Sequence, residues 1–227
     1  MALKKLNTTA FNEMKYADWV LGDGDRIRTN TIISLAGKEK TILDIGCCGG
    51  EIGQQLLNKN NKVYGLDISP TAVKKACSVG IIAKKNNIET ENIPFRIKFD
   101  TVIAAEIIEH LADTDAFLEK VRNKLKPRGE LIITTPNLAT LGRRFLLLLG
   151  KNPHMEVNFE THSAGHLRYF IKPTLLNLLT KHHFKVIHFQ SDIVNFSSSG
   201  KYNSQLLAKL FPTLGRTLII KAVKTGK

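Results

Sequence analysis

The residues best suited to ligand chemistry lie in a glycine-rich stretch, residues 43–51, between a predicted strand and a predicted helix. Gly46 and Gly50 let the main chain turn sharply and let a ligand lie against it. In dinucleotide-binding folds, such a turn brings a pyrophosphate to the start of a helix. Asp44, two residues before Gly46, places a carboxylate where a pyrophosphate would be repelled. The stretch therefore favours a cationic ligand over a dinucleotide.

A second carboxylate, Asp67, ends the next predicted strand, 23 residues after Asp44. A carboxylate at this point of a second strand can accept hydrogen bonds from both hydroxyls of a ribose. A ribose combined with a positive charge and no phosphate describes S-adenosylmethionine. The two aspartates therefore predict this nucleoside as the ligand.

These residues need an open sheet to position them, and the sequence alternates short apolar runs with amphipathic stretches of helix length. Predicted strands cover residues 41–45, 62–66, 99–104, 130–135, 184–189 and 217–223, with a weaker one at 79–83. Predicted helices cover residues 70–77, 114–126 and 173–182, with one or two more within 11–38. Such apolar strands are typical of a parallel sheet covered on both faces, so we predict a doubly wound α/β fold.

Six motifs in order give a resemblance to a known family over residues 26–137. They are Asp44-x-Gly46-x-x-x-Gly50, Asp67, Ile93-Pro94-Phe95, Phe99-Asp100-x-Val102, Glu106-x-x-Glu109-His110 and Leu125-Lys126-Pro127-x-Gly129. Together they resemble the class I S-adenosylmethionine-dependent methyltransferases. The resemblance implies a Rossmann-like, mostly parallel seven-stranded sheet with a C-terminal antiparallel hairpin and helices on both faces.

The resemblance also implies where the cofactor S-adenosylmethionine, and its product S-adenosylhomocysteine, would bind. The expected cofactor-binding residues are Asp44, Gly46, Cys47, Gly50, Asp67, Ile68, Glu89 and Glu106. Asp44, Gly46 and Glu106 would border the methionine end, and Asp67 would hold the ribose. Ile68 would pack on one adenine face, and Glu89 would lie near the adenine edge.

The sequence departs from the family pattern at two positions where glycine is usual, Cys48 and Arg128. If Cys48 requires a positive φ, its side chain adds strain of about 1 kcal/mol close to the ligand. Arg128 belongs to a turn remote from the cofactor, so we expect little functional effect there. Cys47 and Cys48 are interpreted as small packing residues, and no metal site is predicted.

Methyl transfer to a hydroxyl or amine requires removal of a proton, and histidine is the side chain that titrates near neutrality. The candidate catalytic residues are His110, His162 and His166. The last two lie in residues 161–170, which resemble a His-Leu-Arg-x-Phe stretch of many relatives acting on small molecules and on glycan or lipid intermediates. For each histidine alone, a structural or capping role remains the alternative.

We predict one methyltransferase domain over residues 1–227. It would comprise an N-terminal helical cap (1–40), a cofactor-binding half (41–137), a lid or substrate insertion (138–170) and a C-terminal helix with the strand hairpin (171–227). Tyr16 and Trp19 in the cap could close over the cofactor. Three cysteines and the lack of an apolar leader or membrane-spanning run predict a cytoplasmic protein.

The net charge of +13 is uneven, because residues 151–227 hold eleven basic and three acidic residues. This excess indicates either simple solubility or attraction of an anionic partner. Arg143, Arg144 and Arg168 could recruit an anionic small-molecule acceptor. The segment from Arg143 to Leu149 is either an amphipathic lid or a site of peripheral membrane contact.

The predicted function is methyl transfer to a small molecule, with a hydroxyl as the favoured acceptor. Nucleic acid is disfavoured as a partner, because Ala105-Glu106-Ile107-Ile108 stands where base aminomethyltransferases carry an Asn/Asp-Pro-Pro-Tyr/Phe motif. A non-catalytic S-adenosylmethionine-binding protein remains an alternative because of Cys48. An oxidoreductase is disfavoured by Asp44.

Overall fold

A computed structural model describes residues 23–153, 165–196 and 201–226. The helices are α1 (Asp23–Ala36), α2 (Glu51–Leu57), α3 (Pro70–Ser78), α4 (Thr114–Lys124), α5 (Leu141–Leu148), α6 (Lys172–Lys181) and α7 (Gln205–Leu210). The strands are β1 (Thr41–Ile45), β2 (Lys62–Asp67), β3 (Ile82–Lys85), β4 (Phe99–Ala105), β5 (Leu125–Pro136), β6 (Phe184–Gln190), β7 (Val194–Asn195), β8 (Asn203–Ser204) and β9 (Thr217–Lys224). Short 3-10 helices cover Ile108–His110 and Pro212–Leu214.

Seven of these strands form one sheet in the order β3-β2-β1-β4-β5-β9-β6. The first five are parallel, and β9 runs antiparallel to both of its neighbours, β5 and β6. The predicted fold class is therefore confirmed, including the antiparallel pair at the C-terminus. A separate two-stranded hairpin of β7 and β8 lies in the connection between β6 and β9.

The core lies on both faces of the sheet, because successive side chains of a strand point in opposite directions. In β1, Ile42 packs with residues of α1, α2 and α3, whereas Leu43 and Ile45 pack with residues of α4 and α6. Helices on both faces explain why the central strands are apolar at almost every position.

Three predicted elements have a boundary that differs from the structure by two residues or more, and for two of them the reason is identifiable. The strand predicted at 130–135 begins at Leu125. The helix predicted over 114–126 ends at Lys124, because a proline at 127 disfavours the helical conformation at the residue before it. The strand predicted at 79–83 begins only at Ile82. Gly80 (φ 96°) and Ile81 donate main-chain hydrogen bonds back to α3, so this segment closes the helix before the strand starts.

The segment after β5 leaves the sheet at its carboxyl edge and carries α5. Asn137 and Phe170 form an isolated parallel bridge, and Leu138 N donates to Phe170 O at 2.8 Å. The two ends of residues 138–170 are therefore held side by side. The division of the chain into four regions stays a prediction. In the described residues, no helix is both long and apolar enough to cross a membrane.

Candidate cofactor and active site

The turn after β1 is bonded to the neighbouring strand β2. The amides of Gly46 and Cys47 both donate to Leu66 O, at 2.8 and 3.0 Å. Gly46 has φ 75°, and a Cβ there would lie 2.3 Å from Ile107 Cδ1. Gly50 caps α2 with φ 96°, and a Cβ there would lie 2.7 Å from Ile81 Cδ1. Both positions therefore require glycine for conformation and for space.

Asp44 is a buried carboxyl group close to other carboxylates. Its side chain is buried at the carboxyl end of β1, and the side chains of Asp67 and Glu51 are close enough to affect its charge. Burial raises the pKa of Asp44 to about 7, and the negative charges of Asp67 and Glu51 add to the rise. A nearby cation would reverse this effect, because it would stabilise the ionised form. The site is therefore suited electrostatically to a positively charged ligand, as the sequence predicts.

Asp67 ties the two loops of the site together. Its Oδ2 accepts from Cys48 N and its Oδ1 from Ser69 N, both at 2.9 Å. Burial raises the pKa of Asp67, and the backbone amides oppose that rise. Ile68 follows at the strand end and is only partly buried. The carboxylate that we expect at the ribose is therefore already oriented by main-chain donors.

The two adjacent cysteines differ in their surroundings. Cys47 is buried, its Sγ lies 2.7 Å from where a Cβ of Gly65 would be, and burial raises the pKa of its thiol. Its side chain therefore packs in the core, which leaves its main chain as the part suited to face a ligand. Cys48 has φ 47°, a conformation that is unfavourable for a residue with a Cβ. The strain predicted for a positive φ at Cys48 therefore applies.

Glu106, directly after β4, also has a positive φ, 56°. Its Oε1 accepts from Thr134 Oγ1 at 2.8 Å, and its Oε2 lies 3.6 Å from Arg28 Nη1. Burial raises the pKa of Glu106, although the Arg28 charge and the Thr134 hydrogen bond act against the rise. A non-glycine residue held in this conformation at a strand end is typical of functional sites.

Arg28 was missed by the sequence reasoning. It lies on α1 and bonds Asp25 at 3.2 Å, and Asp25 in turn lies 3.0 Å from Arg216 Nη2. Arg216 also pairs with the fully buried Asp192 at 2.7 Å. This network links α1, the end of β4 and the region before β9. No local pattern could have revealed it, because its members are far apart in sequence.

A second cluster forms beside the first from Glu109, His110 and His166. Potential ligand atoms of the three side chains lie within 4.8 Å of one another. The imidazole rings of His110 and His166 have centroids 5.0 Å apart, and His110 Nδ1 lies 3.1 Å from Gly165 O. The structure thus brings together two of the three predicted histidines. His162, Tyr16 and Trp19 lie outside the described residues.

Glu109 is the most buried member of this cluster, with 1% of its surface exposed. Its Oε2 accepts from Thr135 Oγ1 at 3.0 Å, whereas its buried Oε1 has no hydrogen-bond partner among the described residues. Burial, aided by the charge of Glu106, raises the pKa of Glu109 well above its usual value. One carboxylate and two imidazoles could hold a divalent metal ion, or the histidines could act as bases without one.

Glu89 is exposed, and its Oε1 accepts from Ala112 N. It therefore joins the loop after β3 to the segment that follows the 3-10 helix at His110. Its expected place at the adenine edge stays a prediction.

The fold and the site together define a class of protein. The ends of β1, β2 and β4 bring Asp44, Gly46, Asp67 and Glu106 to one carboxyl edge, which is where doubly wound α/β proteins bind nucleosides. Acidic rather than phosphate-binding groups occupy that edge. The class is therefore that of proteins binding a cationic nucleoside.

A methyltransferase-domain family profile matches residues 36–166, more than half of the chain. The chain belongs to this family, and the prediction of a class I S-adenosylmethionine-dependent methyltransferase is confirmed. The prediction of S-adenosylmethionine as cofactor agrees with this assignment.

Relatives of this chain include ubiquinone biosynthesis O-methyltransferases. The protein of Xanthomonas euvesicatoria is 28% identical over 168 residues, covering 65% of this chain and 62% of the relative. The mitochondrial protein of Schizosaccharomyces pombe is 29% identical over 148 residues, covering 59% and 53%. The matched part thus spans less than two thirds of these relatives.

Solved structures agree in fold. The N-methyltransferase NodS of Bradyrhizobium japonicum, in complex with S-adenosyl-L-homocysteine, superimposes with a TM-score of 0.65 at 18% identity, covering 97% of this chain and 100% of NodS. Magnesium protoporphyrin IX methyltransferase of Synechocystis gives 0.63 at 15% identity, covering 96% of both chains.

Proposed function

We propose that this protein transfers the methyl group of S-adenosylmethionine to a hydroxyl group of a small molecule. The observation that carries the proposal is the buried Asp44 beside Asp67, next to the cluster of Glu109, His110 and His166. The first pair suits a cationic nucleoside, and the second cluster suits removal of a hydroxyl proton. Support for a hydroxyl acceptor comes from the curated O-methyltransferase relatives.

When bound, S-adenosylmethionine supplies a methyl group already activated by its sulfonium. Asp67 would accept hydrogen bonds from the ribose hydroxyls. Asp44 and Glu106 would lie at the methionine end, where their negative charges attract its ammonium group and the sulfonium. Arg28, 3.6 Å from Glu106, would be the counterpart for the methionine carboxylate.

His110 and His166 would act on the acceptor. In the transfer step a carbon–oxygen bond would form as the carbon–sulfur bond breaks, which converts the sulfonium into the neutral thioether of S-adenosylhomocysteine. His110 or His166 would accept the hydroxyl proton on an imidazole nitrogen. Positive charge would pass from the sulfonium towards the imidazole, and an imidazolium beside Glu109 would favour the ionised form of that buried carboxyl group. Most of the rate acceleration would come from holding acceptor and methyl group in line.

The acceptor side carries the positive charge that we expect for an anionic substrate. Arg143 donates to Asn137 O, Arg144 to Ala139 O, and Arg168 to Leu111 O. These bonds order the arginines close to the carboxyl edge. Recruitment of an anionic acceptor by them stays a prediction.

Cofactor binding is the first test. Thermal unfolding should be measured with S-adenosylmethionine, S-adenosylhomocysteine, NAD and FAD, because a ligand of the native state raises its melting temperature. We expect a rise with the first two only, and a much smaller rise in Asp67→Asn. Stabilisation by NAD or FAD alone would refute the proposal.

The acceptor is the second test. A panel of phenols, catechols and matched amines should be incubated with S-adenosylmethionine and the products analysed by mass spectrometry. We expect O-methylated products, with His110→Ala and His166→Ala lowering turnover but not cofactor affinity. Addition of EDTA separates the two uses of the cluster, since only a metal-dependent reaction stops while cofactor binding persists.

A second candidate function is cofactor binding without catalysis, which the positive φ of Cys48 favours because it strains the cofactor loop. Undiminished S-adenosylhomocysteine binding together with no product from any acceptor would support this alternative. Product from any hydroxyl acceptor would exclude it.

A further inference from the structure

Helix α5 lies outside the core and exposes an apolar surface. None of its residues is buried. Phe145 is 60% exposed, Leu148 81% and Leu149 53%, and their spacing places them on one side of a helix. An isolated exposed leucine is ordinary, but a contiguous group of large apolar side chains marks an interaction surface.

A second apolar surface lies at α7 and the hairpin before it. Leu206 is 66% exposed and Leu210, one helical turn later, 62%. Phe211, Tyr202 and Phe196 are also more than half exposed. Ala208 is the buried residue of α7.

The two surfaces belong to one region of the molecule. Helices α5 and α7 both contact β7. In addition, Arg144 of α5 donates from its Nη2 to Thr213 O, directly after α7. We define the docking surface as the exposed side chains of α5 and its C-terminal end with those of residues 202–211.

In the described segments that carry the docking surface, the charged residues are basic. Residues 137–153 contain Arg143, Arg144 and Lys151 and no aspartate or glutamate. Residues 201–211 contain Lys201 and Lys209 and again no acidic residue. Apolar side chains surrounded by basic groups are complementary to the boundary of an anionic bilayer, where acyl chains lie below negative headgroups.

The docking surface borders the proposed active site. Asn137, which bridges to Phe170, accepts a hydrogen bond from Arg143 of α5. Four residues before Phe170 lies His166, beside His110. A molecule approaching from the docking surface therefore reaches the side of the sheet edge where the candidate bases lie.

We propose that the docking surface binds an anionic lipid bilayer, so that α5 and α7 rest at the headgroup boundary and the acceptor enters from the membrane. Entry of the acceptor rests on the proposed methyl transfer, whereas bilayer binding does not. A protein partner fits less well, because the apolar groups lie on two short helices and the charged residues of their described segments are all basic.

The test is sedimentation of the full chain with vesicles of equal parts phosphatidylcholine and phosphatidylglycerol, and with phosphatidylcholine alone. The variants are Phe145→Glu with Leu148→Glu on α5, and Leu206→Glu with Leu210→Glu on α7. The control is Ile97→Glu. Ile97 is 39% exposed and precedes β4, so it lies at the amino ends of the parallel strands, away from the carboxyl edge.

We expect the wild type and the control to sediment with anionic vesicles at low salt and to be released at high salt. Each double variant should reduce the bound fraction on the order of tenfold or more, because two apolar contacts are lost and two negative charges are added. Equal loss in the control would overturn the proposal.

Two further outcomes would overturn it. One is no binding of the wild type to anionic vesicles at low salt. The other is a wild-type dimer in analytical ultracentrifugation that both double variants dissociate, which would assign the surface to self-association. Thermal unfolding with S-adenosylhomocysteine separates vesicle binding from the proposed function. Both double variants should still be stabilised by this ligand.

Discussion

The two sides of the carboxyl edge differ in charge and in burial. Around β1, β2 and β4 the site is acidic, buried and fixed by main-chain hydrogen bonds, with strained residues at Cys48 and Glu106. In residues 137–153, which follow β5, the charged residues are all basic, and α5 buries none of its residues. The acidic side is therefore preorganised to bind the cofactor, whereas the basic side is an exposed surface that a partner can bind.

The largest contrast should appear when the same substitution is made on each side. Gly46→Ala forces a Cβ at φ 75° to within 2.3 Å of Ile107 Cδ1. We expect a loss of about 2–3 kcal/mol in the free energy of unfolding, measured by urea denaturation. Gly142→Ala on α5 is the control, since nothing lies within 4 Å of its Cβ position, and it should stabilise by up to about 1 kcal/mol. Similar effects at the two glycines would contradict the contrast.

The acidity of the cofactor side predicts opposite pH dependences for stability and for binding. The pKa of Asp44 is raised in the folded protein, so the stability contributed by its protonated form is complete below its usual pKa and is lost as the pH rises through about 7. A sulfonium instead favours the ionised form. Below about pH 7, the affinity for S-adenosylmethionine should therefore increase by up to about tenfold for each unit by which the pH rises. Isothermal titration calorimetry at several pH values measures this affinity.

Asp44→Asn is the control for titration of the ligand itself. This variant should bind S-adenosylmethionine more weakly and lose most of the pH dependence. An unchanged pH profile in the variant would mean that Asp44 does not face the cation.

The charge network on the cofactor side should matter for binding more than for turnover. Arg28→Gln leaves Glu106 and Asp25 without this counter-charge, and we expect an increase of about tenfold in the KM for S-adenosylmethionine with a smaller fall in kcat. Steady-state kinetics with saturating acceptor measures both. The exposed Arg26 on the same helix gives the matched variant Arg26→Gln, which should leave both constants unchanged. A fall in kcat alone would contradict the assignment of Arg28 to the cofactor.

The smallest effect concerns the strain in the cofactor loop. Cys48→Gly removes the strain of a side chain at φ 47°. The glycine also increases the conformational entropy of the unfolded chain, which opposes this stabilisation. We expect a net stabilisation of about 0.5 kcal/mol in urea denaturation, with equal or tighter S-adenosylhomocysteine binding. Cys77→Ala at an exposed position is the control. Weaker binding in Cys48→Gly would show that the thiol itself contacts the cofactor.

The fold was largely predictable because its information is local. Alternating apolar strands and helix signals such as Ser69, which caps α3 by accepting from Ala72 N, set the order of elements. The errors occurred at the ends of elements, where Pro127 shortens α4 and Gly80 delays the start of β3 by a few residues. The glycine turn and Asp67 were recognisable for the same reason, since their spacing is fixed by a single strand–helix–strand unit.

The sequence by itself determined the class of fold and the acidic cofactor edge, because each depends on neighbours close along the chain. Only the tertiary structure decided that Arg28 meets Glu106, that His166 meets His110, and that α5 and α7 share one exposed surface. These contacts join residues far apart in sequence. Their existence depends on how the whole sheet orders its strands, and no local pattern of residue types records that order.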